Sequence, residues 1–264
     1  MKLFLNRNKA ARVALKGDDQ YGGGDFRSAE CIAFLREADI VVTNPPFSLF
    51  RQYVAQLVEH GKKFLIIANK NAITYKEIFP LIRDNKLWTG ATGFSGGMWF
   101  VADYTGKYEK IVDGVKLINV PAIWFANLDH GRRHQELPLM TADENMRFSK
   151  HKEVKGKAAY IRYDNYDAIE VPYTDAIPRG YNGVMGVPIT FLDKYNPDQF
   201  EILGLSRYTE TKGMSKEFVD AYYKSGQTGM ISEGHPDLCY YDHNNKPIVP
   251  YMRVLIRKRK AKKK

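Results

Sequence analysis

In the stretch Ala38-Asp39-Ile40-Val41-Val42-Thr43-Asn44-Pro45-Pro46-Phe47, a short β-branched apolar run is stopped by two prolines. Apolar residues without alternation predict a parallel strand over residues 39–43, buried on both faces. Proline has no N–H to give a sheet, so the strand ends at Thr43. Upstream, Ser28 is positioned to cap a helix over residues 29–37. Downstream, an amphipathic helix over about residues 49–60 ends at Gly61 and leads into Lys63-Phe64-Leu65-Ile66-Ile67-Ala68, apolar on both faces. A third helix, over about residues 74–83, precedes Lys86-Leu87-Trp88. This alternation predicts an α/β domain with a mostly parallel sheet.

Farther along, Gly97-Met98-Trp99-Phe100-Val101 and Ala122-Ile123-Trp124-Phe125-Ala126 read as paired strands that close the sheet. From about Asp129 the alternation is lost and Tyr, Pro, Asp and Asn take over, which divides the chain into residues 1–128 and 129–264. No internal repeat is present. The closing residues Arg253, Arg257, Lys258, Arg259, Lys260, Lys262, Lys263 and Lys264 form a block of one sign that does not bury itself and is mobile at its end.

A length of 264 residues with 44% hydrophobic content supplies a core for one large domain or two small ones. The formal net charge of +10 favours polyanionic partners, nucleic acid first. Cys31 and Cys239 match neither a disulfide framework nor a metal spacing, which fits a reducing cytoplasm. No apolar run approaches the roughly 20 residues of a membrane span, and Met1-Lys2-Leu3-Phe4-Leu5 is too short and polar-flanked for a signal peptide. A soluble cytoplasmic protein with no membrane partner and no metal is the expectation.

The turn after the strand suggests a chemistry. The exocyclic amino nitrogen of adenine is a poor nucleophile because its lone pair is delocalised into the ring, and acceptors aimed at both amino hydrogens return density to it. The Asn44 side-chain oxygen and a backbone carbonyl of the proline turn are two such acceptors, held in place by proline's restricted dihedrals. Phe47 adds a flat face on which a base drawn out of the duplex can stack. Asn-Pro-Pro also reads as a rigid strand-ending loop. Upstream, in Gly24-Asp25-Phe26, Asp can accept from a cofactor adenine's amino group and Phe can stack on its ring, though that tripeptide too reads as a plain loop. Gly22-Gly23-Gly24 is not a dinucleotide loop, since no strand precedes it and no G-x-G-x-x-G helix follows.

Other candidates lie downstream. His130-Gly131-Arg132-Arg133-His134 reads as a phosphate-gripping loop or as a solvated turn, and Gly131 weakens the helix that a histidine pair would need for a metal. Tyr160-Ile161-Arg162-Tyr163-Asp164-Asn165-Tyr166 reads as base-contacting or as small-domain core. The basic tail, with Arg257, Lys258 and Arg259, reads as a nonspecific phosphate anchor.

Gly24-Asp25-Phe26 followed by Asn44-Pro45-Pro46-Phe47 resembles the amino-methyltransferases that depend on S-adenosylmethionine. The stretches Ala38 to Phe50, Trp124-Phe125-Ala126-Asn127-Leu128-Asp129-His130 and Gly183 to Tyr195 resemble the EcoRI-type adenine-specific DNA methyltransferases, from about Gly24 to the carboxyl terminus. The resemblance implies a partial Rossmann-like methyltransferase sheet with a carboxyl-terminal α+β recognition region. It implies a catalytic turn of Asn44, Pro45, Pro46 and Phe47, and S-adenosylmethionine contacts from Asp25 and Phe26. It also implies double-stranded DNA contacts, with the His130, Arg132, Arg133 loop facing the DNA.

Family members carry a strand and loop upstream that hold the cofactor's methionine and ribose, and the 23 residues before Gly24 are too few to supply them. The expectation is therefore an enzyme incomplete on its own, completed by a missing segment or another chain, with the β-strand at Ile40-Val41-Val42 left near an open sheet edge. A non-catalytic DNA-binding remnant is the alternative. A methyltransferase acting on RNA or on protein glutamine is a third reading, which the carboxyl-terminal resemblance disfavours.

Overall fold

The computed structural model describes residues 2–6, 9–94, 96–102 and 106–259. Lys260, Lys262, Lys263 and Lys264 of the basic tail lie outside the described residues. Along the chain come β1 (Lys2–Asn6), β2 (Lys9–Val13), α1 (Ala29–Glu37), β3 (Ile40–Thr43), α2 (Phe50–Glu59), β4 (Lys63–Asn69), α3 (Phe79–Arg83) and β5 (Trp88–Thr89). Next are β6 (Met98–Val101), β7 (Lys110–Val112), β8 (Val115–Val120), β9 (Ala122–Ala126), α4 (Ala142–Phe148), β10 (Ile169–Glu170) and β11 (Met185–Pro188). The last described elements are β12 (Phe200–Leu205), α5 (Lys216–Lys224), β13 (Tyr240–Tyr241), β14 (Pro247–Ile248) and β15 (Arg253–Lys258). The result is a mixed α/β fold with several sheets.

Contacts group the chain into two compact units, Met1–Lys70 with Gly97–Leu128, and Asn71–Gly96 with Asp129–Lys264. In the first, β3 and β4 run parallel, Ile40 opposite Lys63, as the helix between them requires. On the other side of β4, β9 pairs antiparallel, Leu65 opposite Ala126. Of these two pairings one is parallel and one antiparallel, where a mostly parallel sheet was expected. Phe50, Leu57, Phe64, Ile66 and Phe125 form its buried side, with the Phe50 and Phe125 rings 5.1 Å apart. The expected pairing of β6 with β9 does not occur. Instead β6 pairs with β8, and β8 with β7, as a separate antiparallel sheet. The reason is local: Asp113 and Gly114, both at positive φ, make a tight hairpin between Val112 and Val115. That hairpin sets β8 beside its sequence neighbours.

β3 also departs from expectation. Ile40 and Val42, which share one face of β3, are 52% and 64% exposed, and β3 is the end strand, pairing with β4 only among the described residues. The open edge inferred from the sequence is therefore present, but the strand is not buried on both faces.

In the second unit the strand order is β10-β11-β15-β12, with β15 antiparallel to both neighbours. Val254, Leu255 and Ile256 are buried in this central strand. The start of the basic block is thus core: Arg253 lies inside, its guanidinium forked onto the buried Glu170 carboxylate. Three consecutive apolar residues outweigh the flanking charges because burying them removes a large apolar area from water. α3 is shorter than the helix expected over residues 74–83, since Pro80 suits only a first turn and fixes the start at Phe79.

Candidate active site

α1 begins where expected: the Ser28 hydroxyl accepts from Cys31 N at 3.2 Å and donates to Asp25 O at 2.9 Å. One buried side chain therefore caps the helix and pins the Gly24-Asp25-Phe26 loop in front of it. Gln56, on α2, donates from Nε2 to Phe26 O at 3.2 Å and fixes the loop from the other side. The Phe26 and Tyr53 rings meet edge to face at 4.8 Å.

Thr43 hands the chain to Asn44, which is exposed, and to Pro45, which is buried. Phe47 opens a turn of 3-10 helix, Phe47–Leu49, that leads into α2. Asp25, Phe26, Asn44, Pro45 and Pro46 all line one cavity of about 600 Å3, together with all four residues of β3. Five of the six residues named for cofactor and catalysis thus converge at the carboxyl end of a parallel strand, where open α/β sheets place ligands. Phe47 stands outside this lining and is 38% exposed. A cavity of about 550 Å3 also exists in the second unit, lined by Lys152, Tyr160, Glu170 and Tyr240 among others. Size does not separate the two cavities, but only the first carries the turn chemistry.

Leu49, Tyr53 and Gln56 in the lining escaped the sequence reading. They stand at i, i+4 and i+7, so a helical stripe counted forward from the turn would have found them. Burial raises the Tyr53 phenol above its ordinary range, so it stays neutral. Gln56 Oε1 is buried and has no hydrogen-bond partner among the described residues. A buried acceptor without a donor is costly, which suits a site that receives a polar ligand.

The fit to a cofactor can be judged from the lining. Asp25, Phe26 and the Tyr53 ring offer an acceptor and aromatic walls to an adenine, and the two backbone anchors hold them. Among the described residues that line it there is no lysine, arginine or histidine. The described lining thus has the chemistry to receive a purine that carries an exocyclic amino group.

The candidate DNA-contacting cations occupy varied settings. Arg133 is buried, with its guanidinium 3.5 Å from the centre of the Trp88 ring, and it donates to Asp129 at 2.8 Å and to Asn85 Oδ1. Arg132 donates to Asp193 at 2.6 Å and to Ala91 O at 3.1 Å. His130 Nε2 lies 3.0 Å from Thr89 O. His134 meets Asp129 at 2.8 Å, which raises the imidazole above its ordinary value, and the same contact leads in lowering Asp129 to about 2. Arg257 is exposed, whereas Lys258 donates to Arg179 O and Arg259 to Pro197 O, both at 2.7 Å. Of the tyrosine stretch, Tyr163 and Asn165 are buried; Asn165 holds Asp237 O and Cys239 N. Among the described residues no group of three or more His, Cys, Asp or Glu could hold a metal, and no helix is long and apolar enough to cross a membrane.

The same elements recur in known proteins. A family model described as adenine-specific methyltransferase EcoRI matches residues 5–259. The chain is 48% identical over 202 residues to the type II methyltransferase M.EcoRI of Escherichia coli, covering 74% of this chain and 58% of the relative. It is 40% identical over 189 residues to type II methyltransferase M.MpnI of Mycoplasma pneumoniae, 69% of this chain and 56% of the relative. With M.MgeORF184P of Mycoplasma genitalium, also a type II methyltransferase, it shares 38% identity over 216 residues, 76% of this chain and 61% of the relative. The matched region is thus about three-fifths of each relative's length. No solved structure matches. With the family model spanning nearly the whole described chain, and both the Asn-Pro-Pro-Phe turn and the Asp-Phe loop inside the matched region, the chain belongs to the EcoRI adenine-specific methyltransferase family.

Proposed function

We propose that this chain is the catalytic half of an adenine-specific DNA methyltransferase, which transfers a methyl group from S-adenosylmethionine to the exocyclic amino group of adenine. One observation carries the reading: the Asn44 turn and the Asp25-Phe26 loop line a single cavity at the carboxyl end of β3. On this reading residues 1–128 form the catalytic part, built on a partial Rossmann-like sheet, and residues 129–264 the part that contacts DNA.

Asn44 and the Pro45–Pro46 turn present acceptors to the amino hydrogens of a flipped adenine, and exposed Phe47 stacks on its ring. Asp25 accepts from the adenine amino group of the cofactor, whose ring lies against Phe26. Bound there, S-adenosylmethionine supplies an electrophilic methyl group. The exposed edge of β3 is the place for a further strand, from a preceding segment or another chain, that brings a partner for the methionine carboxylate and ammonium. Double-stranded DNA is held by Arg257, Lys258 and Arg259 and by the loop of His130 and Arg132, which Arg133 supports from beneath. With about six phosphates contacted, affinity should fall roughly a thousandfold from low to moderate salt. A fluorescence titration unchanged over that range removes the DNA reading. Free Cys31 and Cys239 are compatible with a reducing cytoplasm.

The decisive experiment supplies the chain with the preceding segment of a relative and gives it labelled S-adenosylmethionine and duplex DNA. Label is expected in N6-methyladenine. DNA binding with no transfer under every such condition would favour the alternative, a non-catalytic remnant. Calorimetry on the chain alone should give S-adenosylmethionine binding weaker than micromolar, since charged groups without partners contribute little affinity.

A further inference from the structure

The residue after the Gly24-Asp25-Phe26 loop has no role in any reading above. Arg27 forks onto the Asp25 carboxylate, with Nε donating to Oδ1 at 3.0 Å and Nη2 to Oδ2 at 2.7 Å. Its backbone N–H donates to the same Oδ1 at 2.9 Å. The guanidinium also lies 4.5 Å from the centre of the Tyr21 ring and 5.5 Å from that of Phe26. Two rings and one carboxylate therefore fix a side chain that, two residues from its partner on a loop, has little other reason to be ordered.

We propose that Arg27 is a positioning residue: by forking onto Asp25 it aims that carboxylate at the 6-amino group of a purine, so that preference for a 6-aminopurine nucleoside in this cavity depends on Arg27. The inference rests on reading the cavity as the cofactor's adenine site.

Three features support it. First, the loop backbone is held independently of Arg27, by Ser28 on Asp25 O and by Gln56 on Phe26 O. Losing the guanidinium frees the carboxylate to rotate without dismantling the loop. Second, an ionised carboxylate has about four acceptor positions. The three donors from Arg27 place two on Oδ1 and one on Oδ2, so Oδ2 keeps a position for an amino hydrogen. Third, Arg27 leads in holding Asp25 at about 2, so the group stays an acceptor and never a competing donor. The pair is only half-buried, so it adds little to stability and its geometry is free to serve a ligand.

The test uses adenosine and purine riboside, which differ only in the 6-amino group, titrated into the full chain by NMR. The wild type should bind adenosine roughly 10- to 100-fold more tightly, the range for one hydrogen bond to a charged acceptor. Arg27→Ala should bring the two affinities close to equal by weakening adenosine and leaving purine riboside unchanged. Arg27→Lys, which keeps the charge and loses the fork, should fall between, and it decides the matter if the alanine variant does not fold. A preference kept intact in the folded variants overturns the role of Arg27 alone. A wild type that shows no preference, or binds neither nucleoside, overturns the adenine reading of the cavity and this inference with it.

Discussion

Two arginine–carboxylate pairs of nearly equal length lie in different surroundings. Arg27–Asp25 in the first unit closes at 2.7 Å with side chains 34% and 23% exposed, and Arg253–Glu170 in the second closes at 2.6 Å with 14% and 4% exposed. Burial separates them. Around Glu170 the Tyr163 hydroxyl donates as well, and burial first, then the neighbouring carboxylate, pushes that phenol far above its ordinary range. Every member of this network is desolvated, so each depends on the others. Around Asp25 water still competes, and the carboxylate keeps room for a ligand. The same side-chain chemistry is structural in one unit and available for binding in the other.

The sharpest way to break this comparison is to remove one partner from each pair. Arg253→Leu leaves the buried Glu170 charge uncompensated and should lower unfolding free energy by about 3–5 kcal/mol. Arg27→Leu should cost far less, because water screens this pair. Equal losses in denaturant titrations would show that burial does not distinguish the pairs.

A smaller effect is expected at exposed Phe47, which tests whether the first unit's open surface is used. Phe47→Ala should weaken capture of an extruded base by about 1–3 kcal/mol, read from the fluorescence of a base analogue at the target position. Unaltered fluorescence would leave Phe47 without that role.

The smallest effect concerns the second unit's exposed pair, Asp129 and His134. Asp129 lies below its ordinary value, at about 2, so its contribution is present above pH about 4 and fades as pH falls towards 2. His134 lies above its ordinary value, so its contribution is full below pH about 6.5 and is lost as pH rises through the raised value. The stability difference between wild type and His134→Ala should therefore peak in mildly acid solution and shrink on both sides. A difference constant from pH 3 to 9 would contradict the pairing.

Much of the first unit was legible because its signals are local. Ser28, the β-branched run and the prolines set α1, β3 and the turn within a few residues of the expected bounds. The cavity's two loops were legible only as a pair, since each alone also reads as a plain loop and it is their spacing that sets them apart. Missing were Arg27, Tyr53 and Gln56, whose roles depend on which side of a loop or helix faces the cavity. β15 was missed for a different reason: its Val254-Leu255-Ile256 core is short and lies among lysines and arginines, so charge dominated the reading. Arg133 looked like a phosphate ligand by type, but Trp88, Asp129 and Asn85, up to 48 positions away, take up its guanidinium. Pairings over such distances leave no periodic trace.

Asn44 is the residue on which methyl transfer should depend most. Methyl transfer from S-adenosylmethionine to duplex DNA should be measured for wild type and Asn44→Ala, each with whatever preceding segment activity requires. Loss of one preorganised acceptor should lower turnover about a hundredfold or more, with DNA affinity unchanged. Near wild-type turnover in Asn44→Ala would contradict the assignment of the Asn-Pro-Pro-Phe turn as the catalytic centre.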